Sequence, residues 1–188
     1  MTSLYSELHP SITKPFVIAG TGSRNLVLDE DKYNGVMTKL RSLLKAAKAT
    51  YGDNLLVISG MAEGFDECLA GATMIEKIKL LAAVPNFGYA NYYWEDNSLL
   101  KLNRILPFNL LLEYAKSTGG VHYVCSGIYE GGRHSNFIRN EWMADQANLV
   151  WVYNPTTKGT AQCYGYCRLK NIETLIINIG ENHEITTS

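Results

Sequence analysis

Six short apolar runs punctuate the chain, and between them apolar positions recur at helical spacing. The runs are residues 16–20, 55–59, 79–84, 121–125, 148–153 and 174–179. Most are apolar at nearly every position rather than at alternate ones, the pattern of a strand covered on both faces. Residues 31–51 place Tyr33, Val36, Met37, Leu40, Leu43, Leu44 and Ala47 along one side of a helix, which Gly52-Asp53-Asn54 stops. A second helix is predicted to about Glu76, with Phe65, Cys68, Leu69, Ala72 and Ile75 inward. Further helices are predicted over 98–117, 135–147 and 160–170; Pro107, which has no N–H to give, is expected to kink or split the first of these. Strand–helix alternation predicts an α/β protein, a Rossmann-like three-layer sandwich with a mainly parallel sheet and helices on both faces. In such folds ligands bind beyond the carboxyl ends of the strands, where strand order reverses.

Residues 1–15 are polar and aperiodic and read as a tail. Residues 87–94 form an aromatic loop that includes Phe87, Tyr89, Tyr92, Tyr93 and Trp94. With the helix that follows, the stretch 85–120 reads as an insertion in one domain spanning 1–188. Its apolar surface exceeds what one small sheet needs and predicts a homodimer or higher homo-oligomer. The same aromatics suit either packing against a partner copy or stacking on a base.

Composition narrows the partners. The formal net charge is −1, so no basic surplus supports a phosphate-neutralising groove, which argues against nucleic acid as a partner. No basic-then-apolar leader and no apolar run of membrane-spanning length is present, so no membrane is expected. Cys68, Cys125, Cys163 and Cys167 form no CxxC pair, and His9, His122, His134 and His183 lack metal-ligand spacing. A reducing, cytoplasm-like compartment and no metal site are expected.

The candidate chemistry lies in four polar stretches that each follow an apolar run and so fall on one sheet edge. In Gly20-Thr21-Gly22-Ser23-Arg24 the backbone N–H groups, two hydroxyls and a guanidinium suit a phosphate or pyrophosphate. The sequence is neither a P-loop nor a complete GxGxxG, and Arg24 has a second reading as a surface partner of Asp29 or Glu30. The second stretch, Ser59-Gly60-Met61-Ala62-Glu63-Gly64-Phe65-Asp66, offers small residues and two acids. Glu63 or Asp66 would bind ribose hydroxyls, or Asp66 would serve the start of its helix through the macrodipole. The third is a glycine-rich loop containing Tyr129, Arg133 and His134, followed by Arg139-Asn140. The fourth, Lys158-Gly159-Thr160, opens a helix as a second anion cradle, with Thr160 alternatively a plain cap. Cys163 and Cys167, one helical turn apart, read as core or helix-face residues.

These stretches resemble the SLOG superfamily, and most nearly its YspA/YpsA-related group. GTGSR, SGMAEGFDECLAG, FIRNEWMADQANLVWVY and KGTAQCYGYC occur in that order over about 16–84 and 121–179. The wider superfamily includes the DprA DNA-processing proteins and the Lonely Guy phosphoribohydrolases. The resemblance implies a Rossmann-like pocket for a nucleotide or nucleotide-derived ligand. It implies a first phosphate-side turn at Gly20, Gly22, Ser23 and Arg24, and a second glycine motif at Gly60, Glu63, Gly64 and Asp66. It also implies a pocket-facing pair at Arg139 and Asn140 and a GT turn at Gly159 and Thr160. The Lonely Guy enzymes use PGGxGTxxE; here Cys163 stands where that glutamate would be, and the double glycine is missing, which argues against that catalytic route.

The expected function is binding of a nucleotide-derived small molecule, of ADP-ribose or cyclic-nucleotide type, by a sensor or sequestering protein. Its phosphates would lie against residues 20–24 and 159–160, its ribose near Glu63 and its base towards Tyr129 and Arg139. No cofactor beyond that ligand is implied. The alternative is an N-glycosidase or deoxyribosyltransferase-type enzyme, with Glu63 as nucleophile or base and Asp66 in support. A DprA-like single-strand DNA binder is the third reading.

Overall fold

In a computed structural model of the chain, residues 14–89, 102–127 and 133–177 are described. The strands are β1 (Phe16–Gly22), β2 (Leu55–Ser59), β3 (Lys79–Val84), β4 (Gly120–Tyr123), β5 (Leu149–Tyr153) and β6 (Thr174–Ile177). The α-helices are α1 (Glu30–Tyr51), α2 (Phe65–Ile75), α3 (Leu102–Thr118), α4 (Arg133–Gln146) and α5 (Lys158–Lys170). A short 3-10 helix, Arg24–Leu28, links β1 to α1.

The six strands pair in parallel in the order β4-β3-β2-β1-β5-β6, the Rossmann-like α/β architecture that the alternation predicts. β1 is central, and its side chains divide between two cores. Ile18 joins Val36, Leu40 and Leu44 of α1 and Phe65 and Leu69 of α2 on one face. Val17 and Ala19 join Met143 and Ala144 of α4 and Cys163 and Cys167 of α5 on the other. Near-continuous apolarity in β1 is therefore the imprint of a strand with helices on both sides. Each fully buried Leu or Phe in these layers contributes about 1.5–3 kcal/mol relative to exposure.

Several elements depart from the pattern-based bounds, and for three of these departures the structure shows a reason. β1 runs on through Thr21 and Gly22, because β5 offers Val152 and Tyr153 as register partners. α3 continues through Pro107 as one helix; with Phe108, Leu111 and Ala115 buried, it serves as the crossover between β3 and β4. α5 begins at Lys158 rather than 160, because Thr157 holds the cap position.

Strand order reverses between β1 and β5. After β4, at one edge, the chain returns across the sheet through α4 and lays β5 on the free side of β1. Asn148 locks that return: its side-chain Oδ1 accepts from Val17 N at 2.8 Å, while its own N–H donates to Val17 O at 2.8 Å. Two glycines allow the facing helix to close on β1: a Cβ at Gly20 would strike Leu69, and one at Gly22 would lie on the Phe65 ring. Of the aromatic loop, Phe87 stacks on Tyr123 with ring centroids 4.1 Å apart, and Tyr89 is buried. Tyr92, Tyr93 and Trp94 lie outside the described residues.

Candidate functional site

Because all six strands are parallel, the turns after β1, β2 and β5 open on one edge of the sheet. At the β1/β5 reversal they surround a cavity of about 360 Å³. One wall is the turn Thr21–Asn25. The opposite wall is Thr157–Thr160 at the start of α5. The side between them is one face of α4, carrying Asn136, Phe137, Arg139 and Asn140, and Ala62 and Asp66 complete the lining. On α4, Asn136, Arg139 and Asn140 stand at i, i+3 and i+4, which puts them on one helical face.

Arg139 is the structural centre of this lining. It is 3% exposed, its Nε donates to Asn140 Oδ1 at 3.1 Å, and its Nη1 donates to Gly60 O. Nη1 lies 3.7 Å from Asp66 Oδ2. Nη2 makes no hydrogen bond among the described residues. Arg139 thus ties α4 to the turn after β2 and keeps donors of its fork in the cavity wall.

Asp66, in the first turn of α2, is also 3% exposed. Burial pushes its carboxyl up to about 6; Arg139, Arg24 and the backbone N–H groups of Gly22 and Ala62 pull it the other way. Desolvation wins, but the four favourable contacts keep Asp66 close to the physiological range. The carboxylate also joins the turn after β1 to the turn after β2 through those two N–H groups.

The opposing wall is a helix start without a side-chain cap. Thr157 occupies the cap position, but its Oγ1 donates to Thr160 Oγ1 at 2.8 Å instead of accepting a backbone N–H. The first turn therefore keeps its N–H groups and its partial positive charge towards the cavity. A Cβ added at Gly159 would meet nothing within 4 Å, so the backbone there faces open space. Asn140 Nδ2 lies 3.4 Å from Gly159 O and bridges the α4 and α5 walls. Arg24 and Lys158 are exposed at the rim.

Of the residues singled out in the sequence, Thr21, Gly22, Ser23, Arg24, Asp66, Arg139, Asn140, Lys158, Gly159 and Thr160 converge on this cavity. Asp29, offered as a rival partner of Arg24, accepts from Lys32 N and pairs with its ammonium at 2.8 Å. Gly20, Ser59, Gly60 and Gly64 stand behind the wall. Gly20 packs on α2. Ser59 Oγ donates to Asp66 O at 2.7 Å and accepts from Met61 N at 3.1 Å. A Cβ at Gly60 would occupy the place of the Arg139 guanidinium, and Gly64 has φ +91° with its Cα against the Ser23–Arg24 backbone. These four build the site rather than face it. Glu63, expected as nucleophile or base, is half-buried and is not part of the lining. Thr160 is the third residue of α5, buried, and not its cap. Tyr129 and the Arg133 side chain lie outside the described residues.

Asn25, Ala62, Asn136, Phe137 and Thr157 line the cavity and were not anticipated. Asn136 was within reach of sequence reasoning, since it lies one helical turn before Asn140. Cys163, at the position of the Lonely Guy glutamate, points away from solvent into the α4–α5 packing, its Sγ 3.8 Å from Asn140 O. The adjacent Cys167 sulfur and burial push its thiol well above the usual range.

Fold and site together define a Rossmann-like α/β protein with a cation-rimmed cavity at its topological switch point. Among solved structures, the chain is similar to DNA processing protein A (DprA) from Streptococcus pneumoniae, with a TM-score of 0.58 and 17% identity over 88% of this chain and 51% of that one. It is also similar to DprA from Helicobacter pylori, a protein with a single-stranded DNA binding mode, with a TM-score of 0.60 and 13% identity over 91% of this chain and 69% of that one. The chain thus spans about half the length of the first of these neighbours. No protein-family model and no curated protein sequence matches it. The likeness is one of fold, and it is the DprA-type fold that the SLOG resemblance implies.

The argument from net charge against nucleic acid as a partner is thereby overturned: a neighbour with this fold binds single-stranded DNA. The physical reason is that net charge sums the whole surface, whereas an anion responds to the local field. Arg24, Arg139 and Lys158 gather at one cavity of a chain whose formal sum is −1. Among the described residues, no helix is long and apolar enough to cross a membrane.

Proposed function

We propose that this chain binds the phosphate-bearing part of a nucleotide in the cavity between β1 and β5. One observation carries the reading: the buried Arg139, whose Nη2 makes no hydrogen bond among the described residues, lines the cavity together with the start of α5, whose cap residue makes no side-chain cap hydrogen bond. Buried cationic donors and an open helix N-terminus facing one another form an anion site. The ligand favoured by the size of the cavity is a nucleotide-derived small molecule of ADP-ribose or cyclic-dinucleotide type. A cavity of about 360 Å³ lies within the range of ordinary small-ligand sites. The protein would then act as a sensor or sequestering protein. Glu63, outside the lining, lends no support to glycosidic cleavage.

A second reading, binding of single-stranded DNA through the same phosphate contacts, is favoured by the Helicobacter pylori neighbour. Mass spectrometry of small molecules released from heat-denatured protein addresses the first reading. A thermal-shift panel of ADP-ribose, cyclic dinucleotides, mononucleotides and thymidine oligonucleotides addresses both. A ligand at one hundred times its Kd stabilises by about 2.7 kcal/mol, which raises Tm by roughly 5–11 °C for a protein of this size. A nucleotide that shifts Tm while oligonucleotides do not supports the first reading, and the converse supports the second. If no compound in the panel shifts Tm and no nucleotide is released, the proposal is wrong.

A further inference from the structure

We infer that Asp66 makes the cavity a proton-linked site: an anionic ligand enters with uptake of one proton by the Asp66 carboxyl, so binding strengthens as pH falls. This inference rests on the reading of the cavity as a nucleotide-phosphate site. Its basis is a competition visible in the geometry. Asp66 belongs to the lining, is 3% exposed, and has Arg139 Nη1 at 3.7 Å. Arg139 and Arg24 hold its charged form, and both also line the cavity. A phosphate that engages these two guanidinium groups withdraws them from Asp66. It also brings a like charge towards a buried carboxylate. Both changes disfavour the carboxylate and favour the neutral acid. Proton uptake from solvent removes the repulsion, and the protonated carboxyl still occupies the same space beside Gly22 and Ala62.

Before ligand enters, the Asp66 carboxyl already titrates at about 6, so a modest further rise crosses neutrality. The sign follows. Below the free protein's value, Asp66 is neutral with or without ligand, and affinity is at its plateau. As pH rises, the free protein ionises first, and ligand must reverse that ionisation in order to bind. Affinity therefore falls between about pH 6 and the higher value of the complex, tenfold for each unit separating the two. The groups facing Asp66 are Arg139 on α4, Arg24 after β1 and the high-titrating Cys163 thiol on α5. Lys158 stands at the rim, and Glu63 and Glu67 flank Asp66 in the chain. Glu67 accepts from Gly64 N, and its carboxyl is raised by burial. His134 is exposed in the first turn of α4 and is not part of the lining.

Isothermal titration calorimetry tests the inference with two probes in which every phosphate has a single, strongly acidic hydroxyl: ADP-ribose and hexathymidylate without a terminal phosphate. Neither probe titrates between about pH 5.5 and 8. Kd is measured from pH 5.5 to 8 at constant ionic strength, in buffers of differing ionisation enthalpy that report protons exchanged. The expected result is affinity at least about tenfold tighter at pH 6 than at pH 8, with net proton uptake near pH 7. Asp66→Asn flattens the profile and His134→Gln preserves it. Wild-type binding that is flat with pH overturns the inference, as does an Asp66→Asn protein that keeps the slope or a His134→Gln protein that loses it. Should Asp66→Asn fail to fold, proton uptake by His134→Gln decides, uptake supporting the inference and none overturning it. If neither probe binds, the same titration is run with the cyclic dinucleotides of the thermal-shift panel, which also lack a titrating phosphate; if none of these binds at any pH, this inference fails, and if no panel compound binds and no nucleotide is released, the nucleotide-phosphate reading fails with it.

Discussion

Gly159→Ala should stabilise the protein and weaken its binding. The added Cβ has no atom within 4 Å, so it neither clashes nor packs. Gly159 is already helical as the second residue of α5, so alanine adopts its backbone without strain. Removing a glycine restricts the unfolded chain, and the gain is about 0.4–1 kcal/mol. At roughly 2–4 °C per kcal/mol for a chain of this length, Tm rises by about 1–4 °C. Gly159 lines the cavity, so the same methyl group is expected to crowd a phosphate held by the first-turn N–H groups. Losing one hydrogen bond to a charged group costs about 1.5–3 kcal/mol, or ten- to hundredfold in Kd. Differential scanning fluorimetry and calorimetric titration of one protein preparation read both effects. A variant with raised Tm and unchanged affinity for the panel's best ligand would falsify the placement of the anion on the start of α5.

Gly60→Ala should lower both quantities, because its Cβ would displace the Arg139 guanidinium; overpacking of about 1–3 kcal/mol lowers Tm by roughly 2–12 °C, and scanning calorimetry checks it. Leu40→Ala empties a fully buried site on the α1 face, far from the cavity, and should cost about 2–5 kcal/mol in urea denaturation while leaving ligand affinity unchanged once folded. Because the folded carboxyl of Asp66 is raised to about 6, its contribution to stability is greatest below the unfolded value and is lost as pH rises through about 6. The urea midpoint of wild type relative to Asp66→Asn should therefore improve as pH falls from 7 to 4.5, and an unchanged difference would contradict the burial argument.

The parallel sheet was legible because burial on both faces leaves its mark on every residue of a strand. Residues 55–59 and 79–84 read correctly to the residue for this reason. The last pair of β1 was not legible: Thr21 and Gly22 are polar or small, and only β5, brought alongside from more than a hundred residues away, makes them strand. The same distinction separates the site residues. Arg24, Lys158 and Thr160 stand out as polar residues after apolar runs. A glycine, however, reads alike whether a ligand or a side chain comes close to it. Gly60 makes room for Arg139 and Gly20 for Leu69, and neither partner is adjacent in the chain. Glu63 was a plausible acid by position, yet the turn that carries it directs Ala62 and Asp66 to the cavity instead. Net charge misled for a related reason, since a sum over the surface carries no address.

The Asn148–Val17 clasp joins groups 131 positions apart, and it sits where β5 meets β1. A chain grown from its N-terminus completes the turn after β1 early, when its opposite wall does not yet exist. Strands β1 to β4 can collapse with α1, α2 and α3 on one face while the other face of the sheet still waits for α4 and α5. Contacts of such long sequence separation form late, after the entropy of a large loop has been overcome. Ligand capture at this cavity would therefore report finished folding: its two walls face each other only once α4 and α5 have closed on β1.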